Sequence, residues 1–261
     1  MSNILLTGAA GGVATMIRPM LRELWPGLLL SDRIEPPDLQ PNERFQPADL
    51  ANEQHVTALM KGIDGIIHLG GKSIEGEWDD ILESNIVGLY NIYEAARLAG
   101  VKRIVFASSN HAIGFYPRSR RIDNQVPVRP DSRYGVSKAF GEALGSLYAD
   151  KHGLKITSLR IGNVGPEPLD RRRLSIWLHP EDLVQLIRIG LTHPDVHHEI
   201  LYGASNNQRG WWDNSRAFEL GYRPAHDSET FAGQILAREE TPDLVADRYQ
   251  GGTFCASEYS R

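Results

Sequence analysis

One cysteine, Cys255, stands among 261 residues. That excludes an internal disulfide framework and a cysteine-built zinc cluster, and no metal is expected. No apolar run approaches ~18 residues, so nothing in the sequence reads as a transmembrane helix. Ahead of the strand-like Ile4-Leu5-Leu6 there is no basic stretch or cleavage site of a secretory leader. An excess of positive charge is missing too: the net charge is -5, which gives a nucleic acid or an anionic membrane nothing to hold. Internal repeats, heptads and low-complexity segments are also absent. The expectation left is a cytoplasmic, soluble globular protein. Its 41% apolar and 23% charged residues suit that class, and the length suits one large α/β domain with a small appendage.

Short β-rich runs alternate with helical patterns, which predicts βαβ units and a Rossmann-type, doubly wound parallel sheet. The expected strands are Ile4–Thr7, Leu28–Asp32, Arg44–Gln46, Gly65–Leu69, Arg103–Ser108, Lys155–Ile161 and Glu199–Tyr202; the expected helices cover 12–24, 52–61, 78–99, 133–152 and 180–192. In helix 78–99 a stripe of Ile81, Leu82, Ile86, Leu89, Ile92 and Ala96 repeats with a period near 3.6, and Gly100 is its stop. From Gly162 to Arg173 the pattern loosens into a Gly/Pro/Asn-containing loop ending in three arginines. Trp211-Trp212 and Leu220-Gly221-Tyr222 read as a small lid over the strand ends. The expected division is therefore 1–165 as a nucleotide-holding core, with 166–261 supplying a substrate loop, a C-terminal lid, and the core's last strand and helix.

Gly8, Gly11 and Gly12 follow the first strand and open the first helix, with Val13 and then Ala14 where a third glycine often stands. Such glycines let backbone N–H groups approach a pyrophosphate at a helix N-terminus. Asp32 ends the second strand, where a carboxylate accepts both ribose hydroxyls of an adenine dinucleotide and repels a 2′-phosphate. Arg33 works against that, since a guanidinium binds phosphate; NAD is favoured over NADP. Asp49 and Leu50 are placed to hold the adenine, and Leu69, Gly70 and Gly71 let the backbone pass against the cofactor. His68, beside them, is expected to pack within the strand and face away from the site.

Ser109, Tyr134 and Lys138 carry the expected chemistry. Tyrosine and lysine spaced i, i+4 share a helix face, so an ammonium beside the phenol favours phenolate and is expected to lower a pKa that otherwise lies at about 10. A hydroxyl at a strand end stabilises charge developing on a reacting oxygen. Strand alternation lets only one of Ser108 and Ser109 face the cleft, and Ser109 is preferred.

With those residues in order, the chain resembles the extended short-chain dehydrogenases/reductases, and within them the uronate dehydrogenases. The resemblance rests on Val105–Gly114, Tyr134-Gly135-Val136-Ser137-Lys138, Gly210–Ser215 and Gln250-Gly251-Gly252-Thr253-Phe254. It implies NAD-dependent oxidation of cyclic galacturonate or glucuronate at C1 to an aldarolactone, in an enzyme that self-associates, with Asn85, Tyr134, Lys138 and Ile161 joining the NAD contacts. It also implies a sugar pocket of Ser73, Ser109, Asn110, His111, Tyr134, Asn163, Arg172 and Phe254, with Arg172 gripping the C6 carboxylate. Two positions depart from the family pattern: Asn163 stands where a serine is expected, and Lys72 adds a cation. Two rival readings remain. One is redox-neutral chemistry on a nucleotide sugar, which in extended relatives uses a larger C-terminal domain; the other is a non-catalytic NAD sensor, which would not need Ser109, Tyr134 and Lys138 together.

Overall fold

Residues 3–260 are described by the computed structural model. In chain order the leading elements are β1 (Ile4–Thr7), α1 (Gly12–Leu24), β2 (Leu29–Ser31), β3 (Arg44–Phe45), α2 (Glu53–Leu59), β4 (Gly65–His68), α3 (Trp78–Ile81), α4 (Gly88–Ala99) and β5 (Arg103–Ser109). There follow α5 (Arg133–His152), β6 (Lys155–Ile161), β7 (Asn163–Val164), α6 (Arg173–Ile176), β8 (Trp177–Leu178), α7 (Pro180–Thr192), β9 (His198–Gly203), α8 (Ser215–Glu219), α9 (Ala232–Leu236) and α10 (Thr253–Ala256). Among the described residues seven strands form one parallel sheet in the order β3-β2-β1-β4-β5-β6-β9. The order reverses direction beside β1, so the helices divide between two faces and a crevice opens at the carboxyl ends of β1 and β4. Helices α1 and α7 cover one face, over Ile4, Leu6, Val105 and Leu159; α2, α4 and α5 cover the other, over Leu5, Ile66, Ile104 and Ile156. Alternate residues of each strand thus feed two cores, so these strands lack the polar-apolar alternation of a half-exposed sheet.

The doubly wound sheet agrees with expectation, and three of the helices begin and end where the sequence places them. Two readings need correction. Helix 78–99 is not one regular helix: Leu82–Val87 winds as a π-turn between α3 and α4. That turn buries Asn85 and leaves Leu82 exposed, although its spacing puts Leu82 in the apolar stripe. Asn85 supplies the reason, because its amide bridges the loop after β4 to α5, accepting from Lys72 N at 2.7 Å and donating to Lys72 O and Ser137 Oγ. The lid also divides. Trp212 stacks on Tyr202 near the strand ends, whereas Leu220 and Tyr222 join the core on the α1/α7 face. The short parallel pair β7–β8, absent from the sequence reading, forms a separate two-stranded sheet after β6.

Helix α5 is locked to the sheet by a buried ion pair. Glu142 receives two hydrogen bonds from Arg160 of β6, both at 2.9 Å, and a third from Ser108 Oγ of β5 at 2.6 Å. Removing one partner strands a charge in the interior. Arg160→Met is therefore expected to lower unfolding free energy by roughly 3–5 kcal/mol, read from urea melts; a loss below ~1 kcal/mol would show that the pair does not hold the helix.

Candidate active site

The crevice is built first from backbone. Gly8 has φ +71°, and a Cβ there would lie 2.7 Å from Gly70 N. A Cβ on Gly70 would meet Leu50 Cδ1 at 2.6 Å, and one on Gly71, at φ +115°, would meet the Asn85 carboxamide. The loops after β1 and β4 touch main chain to main chain. Thr7 Oγ1 pins them, accepting from Gly70 N at 3.3 Å while sharing a 2.7 Å hydrogen bond with His68 Nδ1. His68 is buried and stacked on Phe106, and burial, then the Lys138 charge, pulls its imidazole down to about 3. It is a neutral strand residue that braces the loops.

A cavity of about 450 Å³ lies above this seam. Its wall brings together Gly8, Gly11, Gly12, Val13, Asp32, Arg33, Asp49, Leu50, Leu69, Gly70 and Gly71, with Ser73 and Lys72 on the far side. The Asp32 carboxylate is fixed by two backbone donors, Ala10 N at 3.0 Å and Arg33 N at 2.7 Å. Arg33 is exposed and its guanidinium makes no hydrogen bond among the described residues. Lys72, one of the family departures, pairs with Asp80. The shape and donor set fit a dinucleotide: bare glycine backbone at the start of α1, a fixed carboxylate at the end of β2, and open space beside Gly12. Asn85 does not line this wall; it holds the Lys72 backbone from behind.

A second cluster gathers beyond the end of β5. Ser109 ends the strand and caps the short 3₁₀ turn Asn110–Ile113, accepting from His111 N at 3.2 Å. Ser108 points the other way, to Glu142. Tyr134 lies in the first turn of α5, whose start is fixed by the Ser132 cap and by Glu75, which accepts from Tyr134 N at 2.9 Å. Burial pushes the Tyr134 phenol up to about 12, while the neighbouring Ser109 hydroxyl pulls the other way. This reverses the expected lowering by lysine. The Lys138 ammonium lies 5.3 Å from the Tyr134 ring centroid and donates to Ala107 O at 2.8 Å, so in this structure it faces the ring and not the hydroxyl. Burial also brings Lys138 down to about 8.

Three arginines end the loop before α6, and only one enters the cluster. Arg171 donates to the carbonyls of Leu236 and Arg238, and Arg173 pairs with Asp170. Arg172 donates to Gln250 O at 2.8 Å and forms no ion pair among the described residues. Burial and the neighbouring Arg173 and Arg118 charges lower it to about 10. With its amide oriented to suit both neighbours, Asn110 accepts from Arg172 Nη2 at 2.8 Å and donates to Ile161 O at 3.1 Å. His111 stacks on Phe254 of α10, centroids 3.9 Å apart, and meets the edge of Tyr134. Asn163 is half-buried on β7, and its side chain makes no hydrogen bond among the described residues. Ser73 is exposed at the cavity rim.

Glu75 and Asp131 have no part in the sequence reading, and Gln250 enters it only within a segment that carries the resemblance. Glu75 ties the loop after β4 to Arg133 and to the Tyr134 amide. Gln250 bonds Trp212 Nε1 and receives Arg172 on its carbonyl. Asp131 is buried against His111. Its signal lay three residues before Tyr134, but a polar residue ahead of a helix reads as capping. Elsewhere, His179, Glu181 and His226 bring potential ligand atoms within 4.8 Å of one another. The two imidazoles stack face to face at 3.5 Å, so their lone pairs run side by side instead of converging, and His179 Nδ1 already caps α7.

The profile of the NAD dependent epimerase/dehydratase family matches residues 4–179. Uronate dehydrogenase of Pseudomonas putida is 47% identical over 262 aligned residues, 98% of this chain and 96% of that protein. The solved glucuronic acid dehydrogenase of Chromohalobacter salexigens is 48% identical with a TM-score of 0.94, covering 98% of this chain and 97% of that one. A mutant uronate dehydrogenase from Agrobacterium tumefaciens, complexed with NAD, is 44% identical with a TM-score of 0.94 over the same shares. The chain belongs to the NAD dependent epimerase/dehydratase family and groups within it with the uronate dehydrogenases.

The seam at Gly8 gives a direct test of the first cavity. Gly8→Ala forces a side chain into left-handed backbone and against the main chain of Leu69 and Gly70. It is expected to cost at least about 1–3 kcal/mol of stability and to abolish dinucleotide binding in calorimetry. Unchanged binding would show that the cofactor does not cross this seam.

Proposed function

We propose that this chain oxidises the C1 hydroxyl of cyclic galacturonate or glucuronate to the aldarolactone, with NAD as oxidant. One observation carries the reading: a half-buried guanidinium that forms no ion pair among the described residues, Arg172, lies in the same cluster as Tyr134 and Ser109 and is bonded to Asn110 and the Gln250 carbonyl. The full-length likeness to uronate dehydrogenases supports it. Residues 1–165 are read as the nucleotide-holding part and 166–261 as substrate loop and lid, together with β9 and α7 of the core. The same reading places the enzyme in the cytoplasm and has it self-associate; exposed Trp78, Tyr90, Val136 and Leu147 on α3, α4 and α5 support an apolar contact face.

Bound in the first cavity, NAD accepts hydride from C1. The protein does the rest. Arg172 holds the C6 carboxylate with charge-assisted bonds and so orients the ring. The Ser109 hydroxyl bonds the reacting oxygen, and the Tyr134 phenolate takes its proton. Loss of that proton and hydride leaves C1 as a ring ester carbonyl, so no thiol intermediate is required. Cys255 is buried, its thiol raised to about 12 by burial. Asp32, held by two amides, faces the ribose and disfavours a 2′-phosphate.

NADH absorbance on mixing protein, NAD and galacturonate tests the whole reading, since a redox-neutral epimerase or a sensor gives no net signal. Tyr134→Phe is expected to retain NAD binding and lose about 10²–10⁴-fold in kcat; near-normal turnover would remove Tyr134 as the base. A raised phenol is mostly protonated at neutral pH, so kcat/KM is expected to climb between about pH 6 and about pH 8, and a fall over that range would contradict it. Arg172→Ala is expected to raise KM for galacturonate by roughly 30-fold or more, as for the loss of one partner of a buried charge pair. It should also blunt the preference over galactose, while Arg171→Ala and Arg173→Ala change little. If either neighbour mattered more than Arg172, the carboxylate would be read elsewhere.

A further inference from the structure

We infer that Asp131 is a positioning residue that fixes His111 in a single tautomer, leaving its Nε2 lone pair to accept a hydrogen bond from a substrate hydroxyl. The substrate's identity rests on the function proposed above; the tautomer does not.

The Asp131 side chain is 0% exposed, and its Oδ2 lies 2.7 Å from His111 Nδ1. Its other oxygen accepts from Ser132 Oγ at 2.7 Å. An ionised carboxylate only accepts hydrogen bonds, so Nδ1 must carry the proton of a neutral ring and Nε2 is left bare. Phe254 stacks on one side of the ring and the Tyr134 edge meets it on another, which fixes the ring plane, and the Asp131 contact selects which nitrogen faces inward. Space for the carboxylate is reserved from two directions. A Cβ on Gly114 and a Cβ on Gly251 would each lie 1.8 Å from Asp131 Oδ2. Two distant stretches of chain thus go without side chains around one carboxylate. The partly exposed ring they frame sits beside Tyr134, and a ligand rich in hydroxyls is what a bare imidazole nitrogen reads.

Four influences act on His111. Burial lowers its pKa, Asp131 raises it by hydrogen bond and charge, Arg172 lowers it and Glu75 raises it, with burial dominant. The ring is therefore neutral, and protonation at low pH would turn Nε2 from acceptor to donor. Tyr134 meets the ring only by its edge, and Cys255 reaches Asp131 with its thiol at 3.8 Å.

The first experiment uses the wild-type enzyme alone, with ¹⁵N-labelled histidine followed by NMR through pH. His111 is expected to be neutral, with hydrogen on Nδ1, and to titrate below the ordinary imidazole range. Hydrogen on Nε2, or ordinary titration, overturns the inference whatever the substrate proves to be. The second uses Asp131→Asn, whose amide holds the ring in either tautomer. KM for galacturonate is expected to rise roughly ten-fold with a smaller change in kcat and unchanged NAD affinity. The acid limb of 1/KM should move to lower pH, because the charge that raised His111 is gone. General loosening would admit water and move that limb up, toward about 6.5, and such a result overturns the inference. In a His111→Ala background the same substitution should add little; an equal effect with and without the imidazole would make Asp131 a prop of the fold. Absence of NADH formation by the wild type would count against the function alone, and the imidazole spectrum would still decide the tautomer.

Discussion

Tyr134 can face Ser109 only if α5 is held at one height along β5, and a buried carboxylate sets that height. Glu142 grips Ser108 of β5 and Arg160 of β6, two turns of helix beyond Tyr134. Lys138 adds a rung between them, from its ammonium to Ala107 O. Ser108 and Ser109 then divide the labour of adjacent strand positions. One faces the helix and fastens it, and the other faces the cleft. Sliding α5 by one residue would break three charge-assisted bonds in the interior at once, and a buried charge without its partner costs far more than a surface contact.

The same packing explains why the phenol and the ammonium both move toward neutrality. Tyr134 and Lys138 are nearly inaccessible, and desolvation penalises each charged form separately. Because the ammonium lies over the ring, its field does little at the hydroxyl, and Ser109 is the group that favours the phenolate. Spacing on a helix predicts which side chains are neighbours, yet not where the charged end of a long one points. Lysine has four methylenes and a carbonyl within reach.

Much of this was legible in the sequence because it depends on local rules. The glycine turn, Asp32, the apolar strands and the capped helices each follow from backbone freedom, alternation or capping within a few residues. What stayed hidden depends on contacts between distant segments. Asp131 matters through Gly114 and Gly251, and Glu75 through Arg133 and Tyr134. Leu220 and Tyr222 look like lid residues until α1 and α7 supply a core for them. The π-turn is hidden for a related reason: the apolar stripe continues through it, and only the partners of Asn85 favour the extra residue.

That π-turn has a consequence for sequence change over time. A π-turn holds one more residue than an α-turn, so a one-residue deletion within Leu82–Val87 need not break the helix. It would leave a regular helix from α3 to α4. Asn85 or its replacement would then rotate by about a hundred degrees, away from Lys72 and Ser137. The helix would survive such a deletion, while the loop that shapes the dinucleotide cavity would lose its anchor. A relative shorter by one residue at this point would thus lack a working part, in a segment where a one-residue gap would otherwise look harmless.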